Sequence, residues 1–377
     1  MKCLHLFSDW KWTGPAEPVV SLCEALERQG VDVRLAFRKA PPDFAERTVG
    51  KEIVRRGVSS YDGFRLNRYF STRDWLFDFR AIRRYAVENR FDIIHAHLTH
   101  DHSLAALSLF GCAARPLLVR TDHKRDGLDR GFAMKMLLGR TDGLAAYAET
   151  IRARDVKHLV YPEERTVVLP PGVHVYGGPT EDLRASLGIG KEEKIIGVIG
   201  RLKPDRGYDV VLRAFKGLKE RMDGVKLVIV GRSSQIEESV KKPLAALGLD
   251  RDVILAGYRR DDYFSMIATF DLFVMMRAGS DGTARALREV MGMGKPAIVS
   301  DRGMLPELVR DGHNGYVVSD EHELAARMEQ VLADEGLRER LGAEARKTAA
   351  REWDYGLQAT KLAGFYEALL TRGRRAG

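Results

Sequence analysis

Apolar residues along this chain collect into short solid runs rather than strict alternation. "CLHLF" (3–7), "DVRLAF" (32–37), "DIIHAH" (92–97), "LLVRTD" (117–122), "GLAAYA" (143–148) and "TVVLPP" (166–171) all have strand length. Runs of that kind suit strands buried on both faces, as in a parallel sheet. Between them lie helical patterns such as "PVVSLCEALERQG" (18–30), which closes on a glycine. After a turn-rich stretch at 170–194 the pattern restarts with "IIGVIG" (195–200), "KLVIVG" (226–231), "VILAG" (253–257), "LFVMM" (272–276), "PAIVS" (296–300) and "GYVVS" (315–319). Two such series predict two doubly wound α/β domains joined near 165–180, with ligands at the carboxyl ends of the strands and in a cleft between the domains. The tail carries apolar residues at 362, 365, 366, 369 and 370, a helical stripe that is expected to pack back on the first domain.

Composition narrows the class. The chain has 377 residues, 45% hydrophobic and 30% charged, which suits two globular domains of ordinary size. A net charge of +8 favours anionic partners without choosing among nucleic acid, phosphorylated metabolites and an anionic membrane surface. Cys3, Cys23 and Cys112 are widely spaced and fit neither a disulfide framework nor a zinc site, as expected in a reducing cytosol. The opening apolar run is too short and interrupted for a signal peptide, and no charge-free stretch is long enough to span a bilayer. The expectation is a cytoplasmic protein, at most peripheral on a membrane surface. No GxGxxG follows the first strand and no GxxxxGK[ST] occurs, which sets aside dinucleotide-dependent oxidoreductases and P-loop enzymes.

Five segments carry candidate chemistry. In "GRLKPDRGYDVVLRAF" (200–215), Arg201 and Arg206 sit at a strand's carboxyl end, where guanidinium forks can grip a diphosphate; the plain alternative is two solvated loop arginines. In "GSDGTARALREVMGMGKP" (279–296), a helix is expected to begin at about Thr283, with Ser280 or Asp281 as its N-cap and the amides of Gly282, Thr283 and Ala284 aimed at an anion. If continuous helix joins them, Asp281 and Glu289 stand about 12 Å apart along the axis. That exceeds the roughly 5–9.5 Å of hydrolytic carboxyl pairs and suits a grip on different hydroxyls of one extended ligand. Glu289 pairing with Arg285 on an exposed face, and Asp281 as a simple cap, are the plain readings. In "DIIHAHLTHDH" (92–102), His95 and His97 share one strand face, but no carboxylate ligand set accompanies them, so hydrogen-bonded histidines are preferred to a metal site. His123, in "VRTDHKRD", lies just past a strand end. Finally, "FRLNRYFSTRDWLFDFRAIRRYAVENRF" (64–91) mixes basic and aromatic residues, as a membrane surface or phosphorylated glycolipid would require; a helix with a solvated basic face and a buried aromatic stripe is the alternative.

Taken together these segments resemble the family GT4 (group 1) glycosyltransferases of GT-B fold over nearly the whole chain. Asp281, seven residues, Glu289 and "VMGMGKPAIV" are similar to the family's E-x7-E signature and its continuation; "DRGMLPELVRDGHNGYVV" (301–318), "GRLKPDRG", "LPPGV" (169–173) and "TGPAEPVVSLCEAL" resemble further motifs in order. The resemblance implies two Rossmann-like domains facing across a cleft. An acceptor-binding domain would span 1–170 with the C-terminal helix at about 356–377, and a donor-binding domain 171–355. It implies transfer of a sugar from a nucleotide-diphosphate sugar with retention of configuration and no metal or other cofactor. It places the diphosphate at Arg201 and Arg206 with the amides of Gly282, Thr283 and Ala284, the ribose at Glu289, the base at the backbone near Tyr258 and the donor sugar at Asp281. His123 would stand at the reaction centre, and Gly14 would let the first loop approach the diphosphate. Asp281 is one methylene shorter than the family glutamate. The acceptor is expected to be a glycan or glycolipid of the bacterial envelope such as lipopolysaccharide core, with no role for nucleic acid. A catalytically silent sugar-nucleotide-binding protein and a GT-B sugar-nucleotide epimerase are the alternatives.

Overall fold

In the computed structural model the chain divides into two compact units, Met1–Gly172 with Trp353–Gly377, and Val173–Glu352. The structure describes every residue except 13, 43, 45, 46, 70, 113, 114, 280–283 and 376–377, and no side chain beyond 372.

The first unit is built on a seven-stranded sheet: β1 (Lys2–Phe7), β2 (Asp32–Phe37), β3 (Ser60–Tyr61), β4 (Ile93–Ala96), β5 (Leu117–Asp122), β6 (Gly143–Ala146) and β7 (Thr166–Val168). All pairings are parallel, in the order β3-β2-β1-β4-β5-β6-β7. Each apolar run of the first series forms a strand, because helices cover both sheet faces and each strand must bury both of its own. The two-residue β3 at the sheet edge is too short and polar to announce itself in the sequence.

One face of this sheet packs against the helices Ala16–Arg28 and Tyr355–Arg375, the other against Thr72–Glu88 and Thr99–Ser108. The C-terminal helix thus returns to the first unit. Ala359, Leu362, Tyr366 and Leu369 are buried in its core, and Tyr355 Oη donates to Glu17 Oε2 at 2.8 Å. Gly143, the first residue of β6, has no room for a side chain: a Cβ there would lie 2.5 Å from Leu369 Cδ1. The helix Thr72–Glu88 buries only Asp78, Ile82 and Ala86. The aromatic stripe considered for it is present in part: Trp75 and Tyr85 pack half-buried against the core, whereas Phe77 and Leu76 are exposed.

The second unit carries β8 (Lys194–Ile199), β9 (Val225–Val230), β10 (Val253–Gly257), β11 (Leu272–Met275), β12 (Ala297–Ser300) and β13 (Tyr316–Val318). They form a parallel sheet ordered β10-β9-β8-β11-β12-β13, again one strand per apolar run. The reversal of strand order at β8 and β11 opens a switch point at their carboxyl ends, where ligands of such sheets bind.

Leu362→Ala, which empties a fully buried position on the returning helix, is expected to cost about 2–5 kcal/mol of stability. Urea denaturation followed by far-UV dichroism measures it, and a change below ~1 kcal/mol would mean that this helix contributes little to the first unit's core.

Candidate functional site

Three adjacent strands of the second unit end alike. β8 is followed by Gly200–Arg201, β9 by Gly231–Arg232, and β10 ends in Gly257, followed by Tyr258. Gly200 N donates to Val230 O at 3.0 Å and Gly231 N to Gly257 O at 2.8 Å, so backbone ties the three ends. A Cβ at Gly231 would lie 1.8 Å from Gly200 O, and its φ of +152° also favours glycine. Close backbone packing leaves the following residues to project from the edge. Arg201 is exposed; its carbonyl accepts from Lys203 N at 2.9 Å and Tyr208 Oη at 3.4 Å, while its guanidinium makes no hydrogen bond or ion pair among the described residues. Arg232 stacks its guanidinium over the Tyr258 ring, 4.5 Å from the centroid. Arg232 was not picked out from the sequence, although its strand–Gly–Arg setting repeats that of Arg201.

Arg206 closes a short 3-10 turn before the helix Tyr208–Lys219. Its Nη1 donates to Ala278 O at 2.5 Å, which ties the loop after β8 to the loop after β11. Arg206 is therefore a largely buried, positioned cation, not a solvated loop arginine.

The helix after β11 departs from the sequence expectation. It spans Arg285–Gly292, and its N-cap is Ala284 in left-handed conformation, φ +43° and ψ +38°. The start expected at Thr283 and the cap at Ser280 or Asp281 are thereby corrected: a non-glycine residue in this conformation ends the helical hydrogen-bond run at Arg288 N to Ala284 O. The 12 Å axial spacing of Asp281 and Glu289 also lapses, because the helix begins four residues after Asp281. Asp281, Gly282 and Thr283 lie outside the described residues. Ala284 is buried and holds a conformation that costs about 1 kcal/mol or more, a pattern that recurs where a backbone is shaped to receive a ligand.

Glu289 lies on the second turn of this helix and is buried, not exposed. Its Oε1 accepts from Arg285 Nε at 2.7 Å, and its Oε2 from Tyr263 Oη at 2.6 Å. The pairing with Arg285 is the one its i, i+4 spacing suggests. Tyr263 carried no signal in the sequence. Burial and the adjacent Glu289 carboxylate push the Tyr263 hydroxyl well above its ordinary range, so it stays a donor and holds the carboxylate oriented.

In the first unit the histidines gather where β1, β4 and β5 lie side by side. His5 and His95 are register partners, and His97 and His123 follow β4 and β5. His123 Nε2 lies 3.2 Å from His97 Nδ1, and its Nδ1 2.5 Å from Tyr147 Oη. His95 Nε2 meets Thr121 Oγ1 at 2.6 Å, and His102 Nε2 meets Thr141 Oγ1 at 2.7 Å. These are hydrogen-bonded core histidines. Burial pushes His5 and His102 down to about 3. Burial first, helped by the Arg120 charge, holds His95, His97 and His123 well below the ordinary histidine range. Gly14 occupies the turn that leads into the helix Ala16–Arg28.

Known proteins share this architecture. The family model "Glycosyltransferase Family 4" matches residues 13–175, and "Glycosyl transferases group 1" matches 179–348. The phosphatidyl-myo-inositol mannosyltransferase of Mycobacterium leprae is 26% identical over 379 residues, 96% of this chain and 95% of that protein. Shorter matches span about half or less of two other relatives. The Spore coat protein SA of Bacillus subtilis is 29% identical over 196 residues, 50% of this chain and 52% of that one. The lipopolysaccharide 1,2-N-acetylglucosaminetransferase of Salmonella typhimurium is 32% identical over 151 residues, 38% and 39%. Anabaena HepE, solved in complex with UDP, superposes with a TM-score of 0.77 at 19% identity, covering 98% of this chain and 100% of that one.

The buried histidines make stability depend on pH. Each is neutral in the fold but takes a proton in the unfolded chain below about 6.5, so unfolding takes up protons and stability falls as the pH drops through that value. Asp101, pushed up to about 7 by burial, and Asp78, Asp122 and Asp155, raised by burial, act with the opposite sign. Histidines 5, 95, 97, 100, 102 and 123, all lowered by burial, outnumber these four carboxyls. The midpoint of thermal unfolding is therefore expected to fall between pH 6.5 and 5; a scanning calorimetry midpoint that is flat or rises over this range would contradict the neutral histidines.

Proposed function

This chain belongs to the family 4, group 1 glycosyltransferases, and we propose that it moves a sugar from a nucleotide-diphosphate sugar to an acceptor hydroxyl with retention of anomeric configuration. The observation that carries this reading is Glu289: a buried carboxylate oriented by Tyr263 and Arg285, on the same sheet edge as Arg201, Arg232 and the pinned Arg206.

In this reading Glu289 accepts hydrogen bonds from the ribose hydroxyls, and the backbone at Tyr258 meets the base. Arg201 and Arg206 hold the diphosphate, with the amides of Gly282, Thr283 and Ala284 beside them. Asp281 takes the donor sugar's hydroxyls, His123 acts at the reacting centre, and Gly14 keeps the first loop clear of a side chain. The acceptor oxygen bonds to the anomeric carbon on the face from which the diphosphate leaves. As the carbon–oxygen bond to phosphate breaks, the departing phosphate oxygen takes the acceptor's proton. Charge building on the diphosphate is met by fixed guanidinium groups, so no metal is invoked.

The first unit would receive the acceptor, a glycan or glycolipid of the bacterial envelope such as lipopolysaccharide core. Two features of that unit support an amphipathic, anionic acceptor. A recess lined by Arg38, Lys39, Arg65, Asn67 and Phe77 sets cations beside an aromatic wall, with Lys39 and Arg65 paired to Asp62 and Asp74 of the same recess. The helix Thr72–Glu88 exposes Leu76 and Phe77 beside Arg73, Arg80 and Arg84, while Arg83 Nη1 donates to the carbonyl of the exposed Phe110 at 3.2 Å. Exposed apolar groups framed by arginines suit an anionic bilayer surface, which would place the protein peripherally on the inner face of the cytoplasmic membrane. Among the described residues no helix is long and apolar enough to cross a membrane.

Calorimetry with UDP, GDP and ADP tests the donor site. Glu289→Gln and Arg206→Ala are each expected to weaken the preferred nucleotide about 10- to 100-fold, the worth of a charge-assisted hydrogen bond; unchanged affinity in both would remove the donor site from this edge. Turnover of any nucleotide sugar, slow hydrolysis included, rejects a role in binding alone. For the membrane surface, co-sedimentation with phosphatidylglycerol vesicles but not with phosphatidylcholine vesicles is expected, with loss of binding in Arg80→Glu/Arg84→Glu. Equal sedimentation with and without anionic lipid contradicts surface attachment.

A further inference from the structure

Six hydrogen bonds join four buried histidines of the first unit into one row. It runs Thr121, His95, Tyr366, His5, His97, His123, Tyr147, and each member is at most 4% exposed. His95 Nε2 meets Thr121 Oγ1 at 2.6 Å, and its Nδ1 makes a short contact with Tyr366 Oη. Tyr366 Oη is 3.4 Å from His5 Nε2, and His5 Nδ1 is 3.0 Å from His97 Nε2. His97 Nδ1 then meets His123 Nε2, and His123 Nδ1 meets Tyr147 Oη.

Every ring nitrogen of the four histidines is spoken for. A neutral imidazole has one N–H and one lone pair, so placing a single proton places all the others. Only two arrangements satisfy the whole row and also give the buried hydroxyl proton of Tyr366 an acceptor within it. In one, Tyr147 donates to His123 Nδ1 and every histidine carries its proton on Nε2, down to His95 Nε2 donating to Thr121. In the other, Thr121 donates to His95 and every histidine carries its proton on Nδ1, so that His123 donates to Tyr147 and the phenolic proton of Tyr147 points elsewhere. A charged imidazole would donate at both nitrogens and still fit the row, so it is burial, which keeps these rings neutral, that leaves a single proton order along it.

A metal ion is the competing use of His5, His95 and His97, whose ligand atoms lie within 4.8 Å of one another. Their hydrogen bonds oppose it. His5 Nδ1 and His97 Nε2 face one another at 3.0 Å, and His95 spends its two nitrogens on Thr121 and Tyr366, so binding an ion would break the row.

Tyr366 is the one hinge in this row, since its hydroxyl donates to one histidine and accepts from another. It comes from the C-terminal helix, far from His123 in sequence. We propose that Tyr366 is a positioning residue for His123, tying through His5 and His97 the ring nitrogen of His123 that carries the proton to the one protonated on His95. Its consequence for catalysis rests on the reading of His123 as part of the reacting centre.

The test uses the full chain labelled with 15N-histidine, whose long-range 1H–15N spectra report each ring's tautomer. Tyr355→Phe is the control, a matched hydroxyl deletion on the same helix whose hydroxyl donates to Glu17 instead. In the wild type His5, His95, His97 and His123 are expected to share one tautomer. In Tyr366→Phe the His5, His97 and His123 signals should move or split between two tautomers, and kcat should fall about 5- to 10-fold with donor KM within twofold, on whichever UDP-, GDP- or ADP-sugar is turned over. Tyr355→Phe should leave the ring spectra and kcat unchanged. Mixed tautomers in the wild type, an unchanged Tyr366→Phe spectrum, an equal kcat loss in Tyr355→Phe, or ring shifts that follow added zinc would each overturn the proposal. The spectra need no turnover, so a wild type that binds no nucleotide would defeat the functional reading and leave the row to be decided separately.

Discussion

An all-parallel sheet covered on both faces leaves its strands nowhere to place polar chemistry except at their ends. The second unit obeys this constraint simply. β8 to β10 are apolar through their carboxyl halves, their ends are tied by backbone through Gly200, Gly231 and Gly257, and Arg201, Arg232 and Tyr258 emerge together. Glu289 sits deeper only because Tyr263 and Arg285 satisfy both of its oxygens. An unpartnered carboxylate at that depth would cost several kcal/mol or take up a proton.

The first unit breaks the same rule and compensates. His5 and His95 lie within β1 and β4, where apolar side chains would pack without penalty. Each buried imidazole needs two partners, and a sheet offers none beyond its own side chains, since backbone groups are used in the ladder. The C-terminal helix supplies the missing one, Tyr366. Burial also keeps these rings neutral, which is what lets them donate and accept in turn.

Much of the fold was legible because double-sided burial writes itself as solid apolar runs: every such run became a strand, and the missed β3 has only two residues. The candidate site was legible in part. Arg206 and Glu289 lie in motifs whose residue types announce their chemistry. Helix ends are weaker signals: the serine and aspartate before "GTARAL" suggested a cap, yet the helix starts later, behind a left-handed alanine that no propensity favours. Tyr263 escaped notice because an isolated tyrosine on a short helix looks like any other until it meets Glu289, 26 positions away.

By itself the sequence determined the local architecture, two series of buried strands and covering helices, since strand and helix periodicities are properties of neighbouring residues. It also determined which ends would carry arginines and carboxylates. What only the tertiary structure decided is pairing at a distance. Tyr366 meets His5 across 361 positions and Tyr355 meets Glu17 across 338. Such contacts depend on how a helix lies on a sheet, and no spacing along the chain encodes that. Burial, and with it the neutral state of the histidines, follows from the same packing.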